Sequence, residues 1–152
     1  MARKDVSALT AHLGYWMRQV SNHVSHAFAR KLEGEGVTVA EWVVLRELYD
    51  VPLLAPSSLA ERIGVTRGAI TKLADRLIAK ALITRAADGA DGRAQRLALT
   101  PLGRKLVPKL AGLADLNEAE LFGHLAPRDR EQLARVLREF VAHHQLETAP
   151  IS

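Results

Sequence analysis

The chain has 152 residues, 48% hydrophobic and 25% charged, which fits one compact domain, or a small domain with an oligomerisation arm, and argues against disorder. It contains no cysteine, which excludes disulfides, thiolate zinc sites, iron–sulfur clusters and thiol-based sensing. There is no run of 18 apolar residues and no apolar stretch behind the opening Met-Ala-Arg-Lys-Asp, so the expectation is a soluble cytoplasmic protein with no signal peptide and no membrane contact.

The net charge of +4 is unevenly spread. Residues 1–56 balance at 6 Lys/Arg and 6 Asp/Glu, residues 57–105 carry 10 against 4, and residues 106–152 carry 5 against 7. The surplus positive charge thus lies in the central third, as a polyanion-binding surface requires. That third contains no Phe, Trp or Tyr. Single strands and RNA loops are held by aromatic stacking, so the expected polyanion is duplex DNA.

In chain order, Leu9, Leu13, Trp16, Met17, Val20, Val24, Phe28 and Leu32 recur at helical spacing and predict a helix from about Ser7 to Leu32, ended by Gly34 and Gly36. Thr38-Val39-Ala40-Glu41 has capping-box spacing and opens a helix with Trp42, Leu45 and Tyr49 inward, which stops before Pro52. Ser58-Leu59-Ala60-Glu61 repeats that spacing and predicts a short helix through Ile63. Gly64-Val65-Thr66 reads as a tight turn, with Thr66 as the N-cap of a helix that runs to about Lys80 and buries Ala69, Ile70, Leu73 and Leu77. Two helices joined by a short glycine-containing turn form a helix-turn-helix.

Leu82 to Arg85 and Arg93 to Leu99 predict two strands around a loop from Ala86 to Gly92, with Leu97 and Leu99 on one side. Directly after a helix-turn-helix, such a hairpin is a wing. Thr100-Pro101 then caps a helix marked by Leu102, Leu106, Leu110 and Leu113 that continues to Phe122. Pro127 opens a last helix with Leu133, Val136, Leu137, Phe140 and Val141, and the tail beyond about Gln145 is expected to fray. The fold class is therefore mainly α with a small β-hairpin wing. A winged helix-turn-helix over about 37–105 is flanked by terminal helices, about 1–36 and 106–145, whose apolar stripes predict a two-fold homodimer.

In a helix-turn-helix the exposed N-terminal face of the second helix enters the major groove. Here that face offers Thr66, Arg67, Gly68, Thr71 and Lys72, with Arg76 one turn on. Arg67 is the candidate for base readout, since a guanidinium bridges guanine O6 and N7. Lys72 and Arg76 suit phosphates, and so do Ser57 and Ser58 at a helix N-terminus. Of the six histidines, His23 and His26 are i, i+3 neighbours and His143-His144 are adjacent, but no further ligand completes either pair, so no metal or other cofactor is expected. Nucleotide-binding, hydrolase-elbow and zinc-protease motifs are missing, so no catalytic residue is assigned. The contrasting expectation is a sequence-indifferent architectural DNA binder, which the ratio of specific to random binding separates from a regulator.

From about Leu9 to Val141 the chain resembles the MarR family of bacterial winged-helix transcription regulators. The most specific match is Asp91-Gly92-Arg93 followed by Leu97-Ala98-Leu99-Thr100 and Gly103, similar to the family's Asp-x-Arg wing and Leu-Thr-x-x-Gly helix start. Thr71, Asp75-Arg76-Leu77, Leu82 and Arg85 match the recognition helix and first wing strand. The resemblance implies that Arg93 enters the minor groove, with Asp91 holding its guanidinium. It further implies repression at a pseudo-palindromic site and a small aromatic or anionic effector. A pocket of Trp16, Met17, Val20, Trp42, Leu45 and Arg46 is the expected place for that effector. Ala81 departs from the pattern: the family has glycine there, and a left-handed helix end favours glycine.

Overall fold

The computed structural model describes residues 5–88 and 91–146, without the side chains of residues 88 and 91–94. Its elements are α1 (Leu13–Glu33), α2 (Val39–Tyr49), α3 (Pro56–Ile63), α4 (Arg67–Ala79), β1 (Ile83–Asp88), β2 (Asp91–Leu99), α5 (Pro101–Phe122) and α6 (Pro127–His143). Among the described residues no helix is long and apolar enough to cross a membrane.

The expected first helix is divided. A 3₁₀ turn over Leu9–Ala11 precedes α1, and His12 between them is extended at φ −104°. Leu9 and Leu13 are strongly exposed, so within the protomer no packing force continues the helix across that point. The C-terminus of α1 follows the sequence: Gly36 takes φ 71°, and the Gly36 and Val37 amides turn back to Glu33 and Leu32. α2 opens with the expected capping box, in which the Glu41 amide donates to Thr38 Oγ1 and the Thr38 amide donates to Glu41 Oε1.

The second expected capping box is a correction. α3 begins at Pro56 with Ala55 as its N-cap and no side-chain cap, so Ser57 and Ser58 lie inside the first turn. Proline at the first helical position has its φ preset and no amide to satisfy, and it wins over the serine two residues on. Gly64, at φ 80°, then turns the chain into α4, where Thr66 accepts from the Ala69 amide. The hairpin is longer than its apolar residues predict, and Ala86 to Asp88 join β1 although Ala and Asp are poor strand formers. Backbone pairing runs in register from Ile83↔Leu99 to Ala87↔Gln95, and beyond it Asp88 lies opposite Asp91. Leu54 adds a bridge to Leu97, bonding it in both directions.

One core holds these parts together: Leu45 and Leu48 of α2, Leu59 and Ile63 of α3, Ile70, Leu73 and Leu77 of α4, Ile83 and Leu97 of the hairpin. Leu32 of α1 and Val107 and Leu110 of α5 are buried in the same core, so the terminal helices are rooted in the winged helix. α1 and α5 are tied further out by Lys31, which bonds Asn117 Oδ1 at 3.0 Å and Glu120 at 2.8 Å, while the Asn117 amide donates to the Val24 carbonyl. α6 has no buried residue, and Leu133, Val136, Leu137, Phe140 and Val141 lie open along it.

The junction after α4 shows what position 81 has to do. The Ala81 amide bonds the Ile78 carbonyl and the Leu82 amide bonds that of Leu77, a helix stop that requires a left-handed residue between them. Ala81 supplies it at φ 60°, against the steric preference of a side chain with a Cβ. Ala81→Gly is therefore expected to raise stability by about 0.5–1 kcal/mol, the relief exceeding the extra freedom of glycine in the unfolded chain. The urea midpoint measures it, and an unchanged or lower midpoint would show that Ala81 stores no strain.

Candidate nucleic-acid interface

α4 buries Ile70, Leu73, Ala74 and Leu77 and turns its other side outward. Thr66, Arg67, Gly68, Thr71, Lys72 and Arg76 are all exposed, which gathers the sequence-predicted recognition residues on one open face. The Thr71 hydroxyl donates to the Arg67 carbonyl at 2.9 Å, so towards a ligand it acts as an acceptor. Among the described residues no hydrogen bond or ion pair engages the side chains of Arg67, Lys72 or Arg76. Three cations within about two and a half turns of helix, with no described carboxylate claiming them, make this face positively charged, a state that a polyanion relieves.

Ser57 and Ser58 stand in the first turn of α3, with Ser57 exposed and Ser58 partly buried. The wing adds Arg85, which ion-pairs with Asp75 of α4 at 3.1 Å, and Arg96 on the second strand. The strand backbone at Asp91 and Arg93 is described, but the expected clasp of their side chains lies outside the described residues.

The opposite end of α4 is anchored by a contact that sequence reading missed. Lys80 Nζ donates to both Glu41 carboxylate oxygens, at 3.0 and 2.7 Å, and to the Gly36 carbonyl at 2.8 Å. Glu41 is 1% exposed, so this carboxylate is inside the fold and needs the cation. Burial on its own raises the Glu41 pKa; the Lys80 hydrogen bonds, then those of Thr38, outweigh it and hold the group below its usual value. One side chain thus ties the end of the candidate recognition helix to the start of α2 and to the α1–α2 turn.

The six residues expected around an effector lie on two helices, Trp16, Met17 and Val20 on α1 and Trp42, Leu45 and Arg46 on α2. Trp42 packs edge-to-face on Phe28 with ring centres 6.3 Å apart. Phe28 is twelve residues from Trp16, about 18 Å along α1 at the usual helical rise. Trp16, Met17 and Val20 are each about half exposed, and Trp16 Nε1 donates to the Thr10 carbonyl. Leu45 is wholly within the core, and Arg46 pairs with Asp50 at 2.7 Å beside the Tyr49 ring. His143 and His144 pack on one another and His144 on Phe140, all three on or next to the exposed last helix.

Comparison with known proteins places this arrangement. Residues 35–94 match the model of the MarR family. Among solved structures, BpsR of Bordetella bronchiseptica, whose DNA binding is regulated by 6-hydroxynicotinic acid, is similar at 24% identity and a TM-score of 0.78, over 90% of this chain and 97% of that one. The MepR–DNA complex of S. aureus is similar at 26% identity and 0.76, over 87% and 98%. A Mycobacterium tuberculosis MarR-family protein in complex with salicylic acid is similar at 25% identity and 0.68, over 90% and 98%. The matched segment contains α2 to the start of β2, including the open cationic face of α4, so residues 35–94 are similar to the MarR family, and the likeness to these solved structures over about nine-tenths of the chain shows that the whole chain, terminal helices included, has their winged helix-turn-helix fold.

Proposed function

We propose that the protein is a homodimeric, sequence-specific repressor of transcription that binds a pseudo-palindromic duplex and responds to a small aromatic or anionic effector. The observation that carries this reading is the exposed face of α4, where Arg67, Lys72 and Arg76 stand without partners among the described residues. Arg67, nearest the helix start, reads a base edge, while Lys72, Arg76 and the Ser57–Ser58 turn hold phosphates. Arg93, steadied by Asp91, takes the adjoining minor groove.

The dimer is supported by α6 and the first half of α1, whose apolar stripes lie open among the described residues. A second copy buries both stripes by two-fold symmetry. In that dimer the half-exposed Trp16, Met17 and Val20 become walls of an interface, where an effector finds aromatic surface. BpsR and the M. tuberculosis relative, named with 6-hydroxynicotinic and salicylic acid, favour an aromatic acid as its class.

Selection from a pool of random duplexes tests the reading. The expected product is an inverted repeat with half-sites about 10 base pairs apart, one turn of the double helix. Retention of duplex without enrichment of any sequence would instead support an architectural binder.

A further inference from the structure

Between Arg62 and Ala87 the chain has six Lys/Arg and one carboxylate, Asp75. It sits one helical turn beyond Thr71 and two beyond Arg67, in the row of α4 assigned above to DNA. A carboxylate there opposes a phosphate backbone, so its presence calls for a compensating role. Among the described residues its partner on another element is Arg85 of β1, whose Nη2 lies 3.1 Å from Asp75 Oδ1.

The position of Arg85 makes that contact more than a surface pair. In the hairpin Arg85 lies opposite Leu97, and directly opposed residues of an antiparallel pair share a face. Leu97 is fully buried, and Ile83, two residues before Arg85 on the same face, is buried as well. Arg85 is thus the first residue of the inner hairpin face beyond the edge of the core, where apolar packing against α4 ends. Leu97 is also held by both of its backbone bonds to Leu54. Asp75 therefore grips the hairpin at a fixed point of the domain, with the wing extending outward from it.

We propose that the Asp75–Arg85 pair is a positioning strut that sets the wing relative to the recognition helix, so that major-groove and minor-groove contacts are made together. Asp75 and Arg85 act through Arg67 and Arg93 and do not themselves read bases. The proposal rests on the DNA-binding function proposed above and names a determinant of specificity within it.

The decisive variant is D75N, because charge and positioning predict opposite outcomes. Removing a negative charge from a DNA-facing surface strengthens binding to every duplex. Losing the strut weakens binding to the selected site by about twofold to fivefold, the upper part of the range for an ion pair of this exposure, without weakening binding to random duplex. The preference ratio of D75N and of R85A is expected to fall, and the charge swap D75R/R85D is expected to recover much of it. In the free protein, hydrogen exchange of the hairpin amides is expected to quicken in D75N while the urea midpoint of the domain stays in place.

A D75N protein with unchanged preference, or with hairpin exchange equal to wild type, overturns the strut. If the wild-type chain itself shows no preference for any duplex, the regulator reading fails, and hairpin exchange alone decides the strut.

Discussion

Lys80→Ala is expected to lower the stability of the domain by about 3 kcal/mol. Removing one partner of a buried ion pair leaves the other charge uncompensated, at a typical cost of 3–5 kcal/mol. The lower end applies because the Lys80 side chain is 40% exposed while Glu41 is not, so water already screens one end. Urea unfolding at fixed protein concentration measures the effect. The double variant E41Q/K80M is expected to regain most of the loss, since a neutral amide keeps the Thr38 cap and needs no cation. A single K80A change that costs under about 0.5 kcal/mol, the range of ordinary surface substitutions, would contradict the lock.

The same pair gives the pH dependence a sign. Glu41 has a folded pKa below its ordinary value of 4.5, so it binds its proton more weakly in the folded state than in the unfolded one. Its contribution is fully present above the unfolded pKa and is lost as pH falls through the folded one. Stability should therefore decline on acidification below about pH 4.5 more steeply in wild type than in E41Q.

The second large effect contrasts one substitution at two places in α5. A methyl added at Gly103 would overlap the Leu82 carbonyl oxygen, which is backbone and already accepts the Thr100 amide at 3.0 Å. Neither neighbour yields easily, because Thr100 also donates its hydroxyl to the Ala81 carbonyl and caps the Gly103 amide. Gly103→Ala is expected to cost about 2–3 kcal/mol, as overpacking of a tight contact does. A methyl at Gly112 meets open space within the same helix. Gly112→Ala is expected to stabilise by about 0.5–1 kcal/mol through helix propensity alone. Equal signs at the two positions, read from urea midpoints, would refute the close approach of α5 to Leu82.

Much of this architecture is legible in the residues. The 3.6-residue period of α4 separates Ile70, Leu73 and Leu77 from Arg67, Thr71 and Lys72, and the structure exposes the second set. Thr38 with Glu41 reads as a capping box because both partners lie within one turn. The Lys80 contact is invisible by the same logic, being 39 residues away and made by a residue type usually found in water. Ser58 misled because capping-box spacing recurs by chance, and Pro56 beside it is the stronger signal. The length of the wing was hidden because hairpin pairing overrides the weak strand preference of Ala86 and Ala87. How the expected effector residues on α1 and α2 lie relative to one another is not legible in the sequence. Helical spacing shows which residues share a face, but not that Trp42 meets α1 at Phe28, more than three turns beyond Trp16.

In the proposed function the open face of α4 and the wing together recognise one duplex sequence. Fluorescence anisotropy with the selected duplex and a scrambled one, for wild type, Arg67→Ala and Arg93→Ala at several salt concentrations, tests it most directly. The expected preference for the selected duplex is at least about 1,000-fold. Arg67→Ala should lose about tenfold to a hundredfold on that duplex, far more than on the scrambled one. Arg93→Ala should weaken the selected site as well. Equal affinity of wild type for both duplexes, unmoved by either substitution, would rule out joint recognition by α4 and the wing.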